Sequence, residues 1–291
     1  MKKKILIVGG AGFIGHNLAI KLKKKKFIVA IVDGLEVNNL TSIISNSDNL
    51  PNPKLSREVI DSRLELINKY KIPFFVQDAR DYHKLSKTIS IFKPDILVHL
   101  AAISHSNRSN KNPYSTFDHS LRTLENSLDA CKNKIKHFIF LSSSMVYGNF
   151  KSNEVTEKTS CEPLGIYAAL KFSAEKIIIG YNQVFNLPYT IIRPSALYGE
   201  RCISRRVGQI FIENALLKKD IVIDGDGEEK LDFTYIEDLT DGIIQVIKNN
   251  KSKNQIFNLT YGKGRKINDL ITILRRFFPK LKVKYKKRDK L

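Results

Sequence analysis

The stretch Lys4-Ile5-Leu6-Ile7-Val8-Gly9-Gly10-Ala11-Gly12-Phe13-Ile14-Gly15 decides how this chain folds. A short apolar run of strand type meets a glycine cluster, and an apolar pattern at helical spacing continues through Leu18 and Leu22. The order is strand, tight turn, helix start. In a parallel α/β sheet Gly9 permits the turn, Gly12 lets a phosphate approach the backbone, and Gly15 lets helix and strand pack closely. A pyrophosphate would lie against Gly12, Phe13, Ile14 and Gly15, where free helix N–H groups and the dipole favour an anion.

Working outward, a second strand runs to Asp33, about twenty residues beyond the glycines. An acid at that position is placed for a ribose 2′-hydroxyl and repels a 2′-phosphate, so the expected cofactor is NAD and not NADP. Strand and helix patterns then alternate. Strands are expected at 4–8, 27–32, 73–76, 96–100, 138–142 and 189–193, with helices at 12–25, 57–69, 82–92, 115–132 and 165–185. Residues 38–55 carry Asn, Ser and Pro without a period and read as a loop insertion. The pattern predicts an α/β fold, a Rossmann-like doubly wound parallel sheet. After Arg193 the segments shorten around Gly199, Gly225 and Gly227 and hold one expected helix, 206–217. This predicts a dinucleotide-binding domain over 1–193, to which 233–250 returns. A smaller C-terminal substrate-binding lobe spans 194–291 over the carboxyl ends of the strands.

At 291 residues the chain can bury a large core. Cys131, Cys161 and Cys202 are odd in number and far apart, which fits reduced thiols in a cytoplasmic protein and argues against a disulfide framework or a metal site. No apolar run approaches a membrane span, and Met1 to Lys4 lead straight into the first strand with no signal segment. The net charge of +20 is spread along the chain alongside abundant Asn and Ile. That distribution points to coding bias and away from a specific nucleic-acid partner.

The chemistry is suggested by Tyr167-Ala168-Ala169-Leu170-Lys171, preceded by Ser142-Ser143-Ser144 at a strand end. Positions four apart share a helix face, so the Lys171 ammonium is expected to lower the pKa of the Tyr167 phenol. The ordinary phenol value is about 10, and two to three units of depression would make it a proton acceptor near neutrality.

With these motifs in chain order, the sequence resembles the extended short-chain dehydrogenase/reductase superfamily and, more narrowly, its nucleotide-sugar epimerase/dehydratase branch. The resemblance covers nearly the whole chain. Asp78-Ala79-Arg80-Asp81 is similar to the acidic turn that contacts adenine, and His99-Leu100-Ala101-Ala102 to the strand end beside the nicotinamide ribose. Val146-Tyr147-Gly148, Arg193-Pro194, Leu197-Tyr198-Gly199 and Phe257-Asn258 also match. The resemblance assigns the catalytic Ser/Thr to Ser143. It implies that Tyr167 takes a proton from a sugar hydroxyl as hydride leaves the same carbon, while Ser143 donates to that oxygen and Lys171 holds the ribose.

Departures from the family pattern narrow the reading. Sugar 4,6-dehydratases carry an Asp-Glu pair where this chain has Ser144 and Met145, and a methionine can neither accept nor donate the proton that elimination requires. The Arg before Asp232-Phe233 is replaced by Leu231, the family Asn by Ala196, and the Asn-x-x-Gly-Thr helix start by Ser120 to Leu124. Arg201, Arg205 and Arg206 are candidate replacements for the lost phosphate clamp, with Ser143 and Ser144 on the substrate side. The expected activity is an NAD-dependent nucleotide-sugar epimerase acting at C4 through a transient 4-keto sugar. Alternatives are a 4-ketoreductase or dehydrogenase on the same substrate class, or a non-catalytic nucleotide- or RNA-binding member of the fold. By family analogy the partner is a second copy, a homodimer joined through the helices at 115–132 and 165–185.

Overall fold

The opening stretch forms β1 (Lys4–Val8), whose side chains alternate between two buried apolar layers. The computed structural model describes residues 2–37, 39–44, 52–103, 106–152, 154–203 and 206–287. Further strands are β2 (Ile28–Asp33), β3 (Phe74–Val76), β4 (Ile96–His99), β5 (His137–Leu141) and β6 (Tyr189–Pro194). With Gln255–Leu259 they make a seven-stranded sheet in the order Gln255–Leu259, β6, β5, β4, β1, β2, β3. Every pairing in it is parallel.

Ile5 and Ile7 face one layer, with Leu18 and Leu22 of the helix Phe13–Lys24 and Ile243 and Ile247 of Ile236–Lys248. Leu6 and Val8 face the other, with Leu85 and Ile89 of Tyr82–Phe92, Leu124 and Leu128 of Thr123–Cys131, and Ile178 of Gly165–Phe185. Because both faces are covered, the strands are continuous apolar runs, the type of run seen in the opening stretch. From β1 the sheet grows one way through β2 and β3 and the other way through β4, β5 and β6. Ligands of such sheets bind outside the carboxyl ends of the strands at this reversal.

The structure differs from the sequence reading at four places. The expected loop 38–55 contains a short helix, Leu40–Ile44, and the start of a long one, Pro53–Lys69. The signal for the second was present: Pro53 opens it, and the Asn52 side chain caps it by accepting from the Leu55 N–H at 3.1 Å. The expected helix 115–132 is broken into Pro113–Phe117, a π-helical turn at Asp118–Arg122, and Thr123–Cys131. The return to the main sheet continues past 233–250 into Gln255–Leu259, which pairs with β6. Beyond Ile236–Lys248 and the expected helix, found as Val207–Leu216, the segment after Arg193 also holds Ile267–Phe277, which was not expected. Phe211, Ile271 and Leu274 from these helices pack with Ile221 and Ile223 of the strand Ile221–Asp224, which pairs with Val283–Lys286.

One buried polar cluster ties the sheet to the helix Gly165–Phe185. Arg193 on β6 donates from Nε and Nη2 to the two Glu175 carboxylate oxygens at 3.0 and 2.6 Å, and both side chains are almost fully buried. The Ser142 hydroxyl donates to Glu175 at 2.5 Å, and Arg193 Nη1 donates to the Tyr147 hydroxyl at 2.8 Å. Tyr147 in turn donates to Asn258 Oδ1 at 2.8 Å. Removing one partner of such a pair strands a buried charge, which costs about 3–5 kcal/mol. Glu175→Ala is therefore expected to lose stability on that scale in urea denaturation. The double change Glu175→Leu with Arg193→Met should lose less, because no charge is left unpaired.

Candidate active site

The glycine turn is held by backbone sterics. Gly9 has φ +86°, and a Cβ there would lie 2.7 Å from the Ala101 nitrogen. A Cβ on Gly15 would lie 2.5 Å from the Gly9 carbonyl oxygen, so only glycine lets the helix Phe13–Lys24 start this close to β1. That helix begins at Gly12 with no side-chain cap and no acidic residue in its first turn. Its N-terminal amides and dipole therefore face the cleft without a built-in anion.

A single cleft gathers eleven of the expected cofactor positions, Gly9, Gly12, Phe13, Ile14, Gly15, Asp33, Asp78, Ala79, Leu100, Ala101 and Ala102, whereas the other two, Tyr167 and Lys171, line a neighbouring recess. Arg63, Glu36, His119, Thr123 and Arg206 also line it. Asp33 accepts from the Ala11 N–H at 2.9 Å and the Leu35 N–H at 2.8 Å. Burial raises its pKa against those two bonds and the Arg63 charge. Asp78 is pushed up by burial, but hydrogen bonds from Arg80 outweigh this and hold its carboxyl below the ordinary value. Arg80 also pairs with Glu36 at 2.7 Å and Asp118 at 2.8 Å, and His119 Nε2 lies 3.0 Å from Glu36. The acids at this end are thus neutralised locally, except Asp33. A dinucleotide fits these residues: an uncapped helix start for the pyrophosphate, and an acid with lone pairs to spare for a ribose diol.

Beside this cleft, and sharing Ala102 with it, is a smaller recess lined by Thr116, Ser120, Phe140, Tyr167, Leu170, Lys171 and Ala174. The end of β5 sorts its hydrogen-bonding groups here. The Leu141 carbonyl accepts from Lys171 Nζ at 2.7 Å, and Ser142 is taken by Glu175. The Ser143 hydroxyl accepts from the Met145 N–H at 3.2 Å and lies near enough to the Tyr167 phenol to act on its pKa. Ser144 opens a 3-10 turn, Ser144–Tyr147, and Met145 points outward, 41% exposed.

The electrostatics correct one expectation. Burial raises the Tyr167 pKa above its ordinary value, with Arg206 and the Ser143 hydrogen bond opposing it. The Lys171 ammonium is engaged by the Leu141 carbonyl and lies over the Phe140 ring, 4.8 Å from its centre. Burial lowers the Lys171 pKa to about 8 despite nearby Glu175.

Of the arginines proposed from sequence, Arg206 lines the cleft, whereas Arg201 contributes its backbone carbonyl to Arg63. Arg205 lies outside the described residues. Arg63, His119 and Thr116 were not singled out from the sequence, and Ser120 and Thr123 only as part of an altered helix start. The last four come from the segment spanning the π-helical turn, and such turns recur at functional sites. Arg63 sits in a helix read only as one of those alternating with the strands, and nothing in its local spacing marked it.

With the geometry in place, three comparisons bear on it. The model of a family described as "NAD dependent epimerase/dehydratase family" matches residues 5–260. An uncharacterised UDP-glucose epimerase of Bacillus subtilis is 32% identical over 250 residues, spanning 84% of this chain and 72% of that protein. A dTDP-D-glucose 4,6-dehydratase of Dictyostelium discoideum is 28% identical over 275 residues, spanning 88% of this chain and 58% of that protein. Among solved structures, UDP-glucuronic acid 4-epimerase from Bacillus cereus, in complex with UDP-glucuronic acid and NAD, superposes with TM-score 0.85 at 27% identity. That match covers 98% of this chain and 86% of the other.

The Lys171 amine gives a pH-dependent stability with a definite sign. Its folded-state pKa of about 8 lies below the ordinary value of 10.5, so between these pH values the unfolded chain holds more protons on this amine. Stability tied to Lys171 therefore rises with pH across that window, and the penalty is fully present below it. At about 1.4 kcal/mol per unit the full effect is of order 3–4 kcal/mol. Urea denaturation at pH 7.5 and 9.5 should show wild type gaining stability relative to Lys171→Met, whose own pH slope is flatter.

Proposed function

The chain belongs to the NAD-dependent epimerase/dehydratase family, and on that premise we propose that it is a nucleotide-sugar epimerase acting at C4. The observation that carries the reading is the placement of Tyr167 and Lys171 together in a recess that shares Ala102 with the glycine-turn cleft. Gly12 to Gly15 would receive the pyrophosphate, Asp33 the adenosine ribose, Asp78 and Ala79 the adenine side, and Leu100 to Ala102 the nicotinamide side. Bound there, NAD supplies a hydride acceptor and donor for the sugar carbon.

Tyr167 then serves as the proton acceptor for the C4 hydroxyl, and Ser143 donates a hydrogen bond to the same oxygen. The oxidised sugar turns over in the pocket, and Tyr167 returns the proton on the other face. Burial holds the phenol proton in place until positive charge lies near it, because an added cation acts in the same direction as Arg206. Lys171 is the residue proposed to hold the second ribose, exchanging the Leu141 carbonyl for sugar hydroxyls. Water elimination is disfavoured at this site because Ser144 and Met145 offer no acid–base pair, and Met145 is turned outward. The relatives' UDP-sugars make a UDP-activated hexose or hexuronic acid the proposed substrate class, with Arg206 and Ser144 on its side of the cleft.

Purified protein should carry NAD and interconvert C4 epimers of a UDP-sugar with no cofactor added. Free NADH formed in proportion to product would instead establish a dehydrogenase. Tyr167→Phe should lower turnover by about 10²–10⁴-fold while NAD stays bound. Turnover that survives this change removes Tyr167 from the proton-transfer role.

We further propose that the protein pairs with a second copy through Gly165–Phe185, where Ile177 and Val184, seven residues apart, are exposed. Sedimentation velocity should give a dimer for wild type and a monomer for Val184→Glu.

A further inference from the structure

Arg63 stands out among the groups that the proposed reaction does not use. It belongs to Pro53–Lys69, its side chain is 1% exposed, and it has no carboxylate within salt-bridge distance among the described residues. Its Nε and Nη2 both donate to the Arg201 carbonyl, at 3.0 and 2.5 Å. Its Nη1 is buried with no hydrogen-bond partner among the described residues, and the residue lines the glycine-turn cleft. A buried guanidinium with an idle donor is costly, and such a group signals a partner that arrives later.

Two features indicate what that partner is. The uncapped N-terminus of Phe13–Lys24 opens on the same cleft, and the pKa of His16 in the first turn of that helix is lowered by burial and further by the nearby Arg63 charge. The positive helix end and the guanidinium therefore converge on one region. An arginine presents its donors as a planar fork, which matches phosphate oxygens. The carbonyl it grips belongs to Arg201, a residue at φ +61° on the segment that leads to Arg206 in the cleft.

Resting on the cofactor reading above, we propose that Arg63 is a two-sided clasp: Nη1 donates to a pyrophosphate oxygen of the bound dinucleotide while Nε and Nη2 hold the Arg201 carbonyl. Cofactor binding thereby fixes Arg201 beside the cleft. The clasp joins the pyrophosphate to the backbone at Arg201 through one side chain.

The test uses the full chain freed of endogenous nucleotide, with NAD, ADP-ribose and adenosine as probes in calorimetric titration. Loss of one charge-assisted bond weakens binding by about 10- to 100-fold. Arg63→Met should show that loss for NAD and ADP-ribose and little change for adenosine, which has no phosphate. In wild type, NAD should slow trypsin cleavage after Arg201, read by mass spectrometry. In Arg63→Met that protection should disappear. Arg63→Lys, which keeps the charge but not the fork, carries the same comparison if the methionine variant does not fold, and should restore affinity only in part. Equal NAD affinity in wild type and either variant overturns the clasp, as does a loss that is the same for adenosine. A wild-type chain that binds no NAD at all overturns the cofactor reading itself, a result distinct from equal binding.

Discussion

The fork between Arg193 and Glu175 is the constraint on which the rest of the site depends. Glu175 lies on the same helix as Tyr167 and Lys171, and Arg193 lies on a central strand. Two parallel hydrogen bonds therefore set both the height and the rotation of the helix against the sheet. Ser142 and Tyr147 close the remaining hydrogen-bonding capacity of the pair, so the strand end beside the phenol is held by the same cluster. An apolar contact would permit the helix to slide by a fraction of a turn. A buried bidentate pair does not, because any slide exposes an unpaired charge to a dry interior.

The second constraint is steric. Gly9 must approach the backbone of Leu100 and Ala101, and this contact brings the end of β1 and the end of β4 together at the sheet reversal. The residues that follow β4 then line the glycine-turn cleft on one side and reach the Tyr167 recess through Ala102. Proximity of the two half-sites is thus a product of sheet topology, and the side chains in each need only face the shared edge. Reactions that move a hydride and a proton from one carbinol require that adjacency.

The sheet was readable because its inner strands are covered on both faces, so β1, β2 and β4 to β6 stand in the sequence as apolar runs between helical periods, while the partly buried edge strand β3 was marked by its apolar Phe74–Val76. Gln255–Leu259 escaped notice because it is an edge strand whose residues are only partly buried, and its sequence mixes Gln, Asn and apolar residues. The π-helical turn at Asp118–Arg122 has no compositional mark, since one extra residue in a helix leaves propensities unchanged. The glycine turn, Asp33 and the pair Tyr167 and Lys171 were legible because each is a short pattern with a local cause. The direction of the Tyr167 shift was not. Spacing along a helix predicts which charges are near, but burial and the preference of Lys171 for the Leu141 carbonyl depend on the packed structure. Arg63 was hidden for the same reason, as its contacts span 138 positions to Arg201.

The distribution of charge in the cleft follows from these placements. Glu36 and Asp78 are paired with Arg80, and Glu36 also meets His119, which leaves that end of the cleft nearly balanced. Around the helix start the balance is different: Arg63, Arg206 and the helix dipole face Asp33, whose own carboxylate is disfavoured by burial. Burial lowers the Arg63 pKa to about 10 against the pull of Cys202 and Asp33, which shows how poorly its charge is compensated. An interior built this way is less stable alone than with an anion in place, and whatever binds the folded form stabilises it in proportion to that affinity. The electrostatics of the cleft and its fitness for an anion therefore have one cause: Asp33, the acid whose charge reaches Arg63, forms no ion pair with it among the described residues.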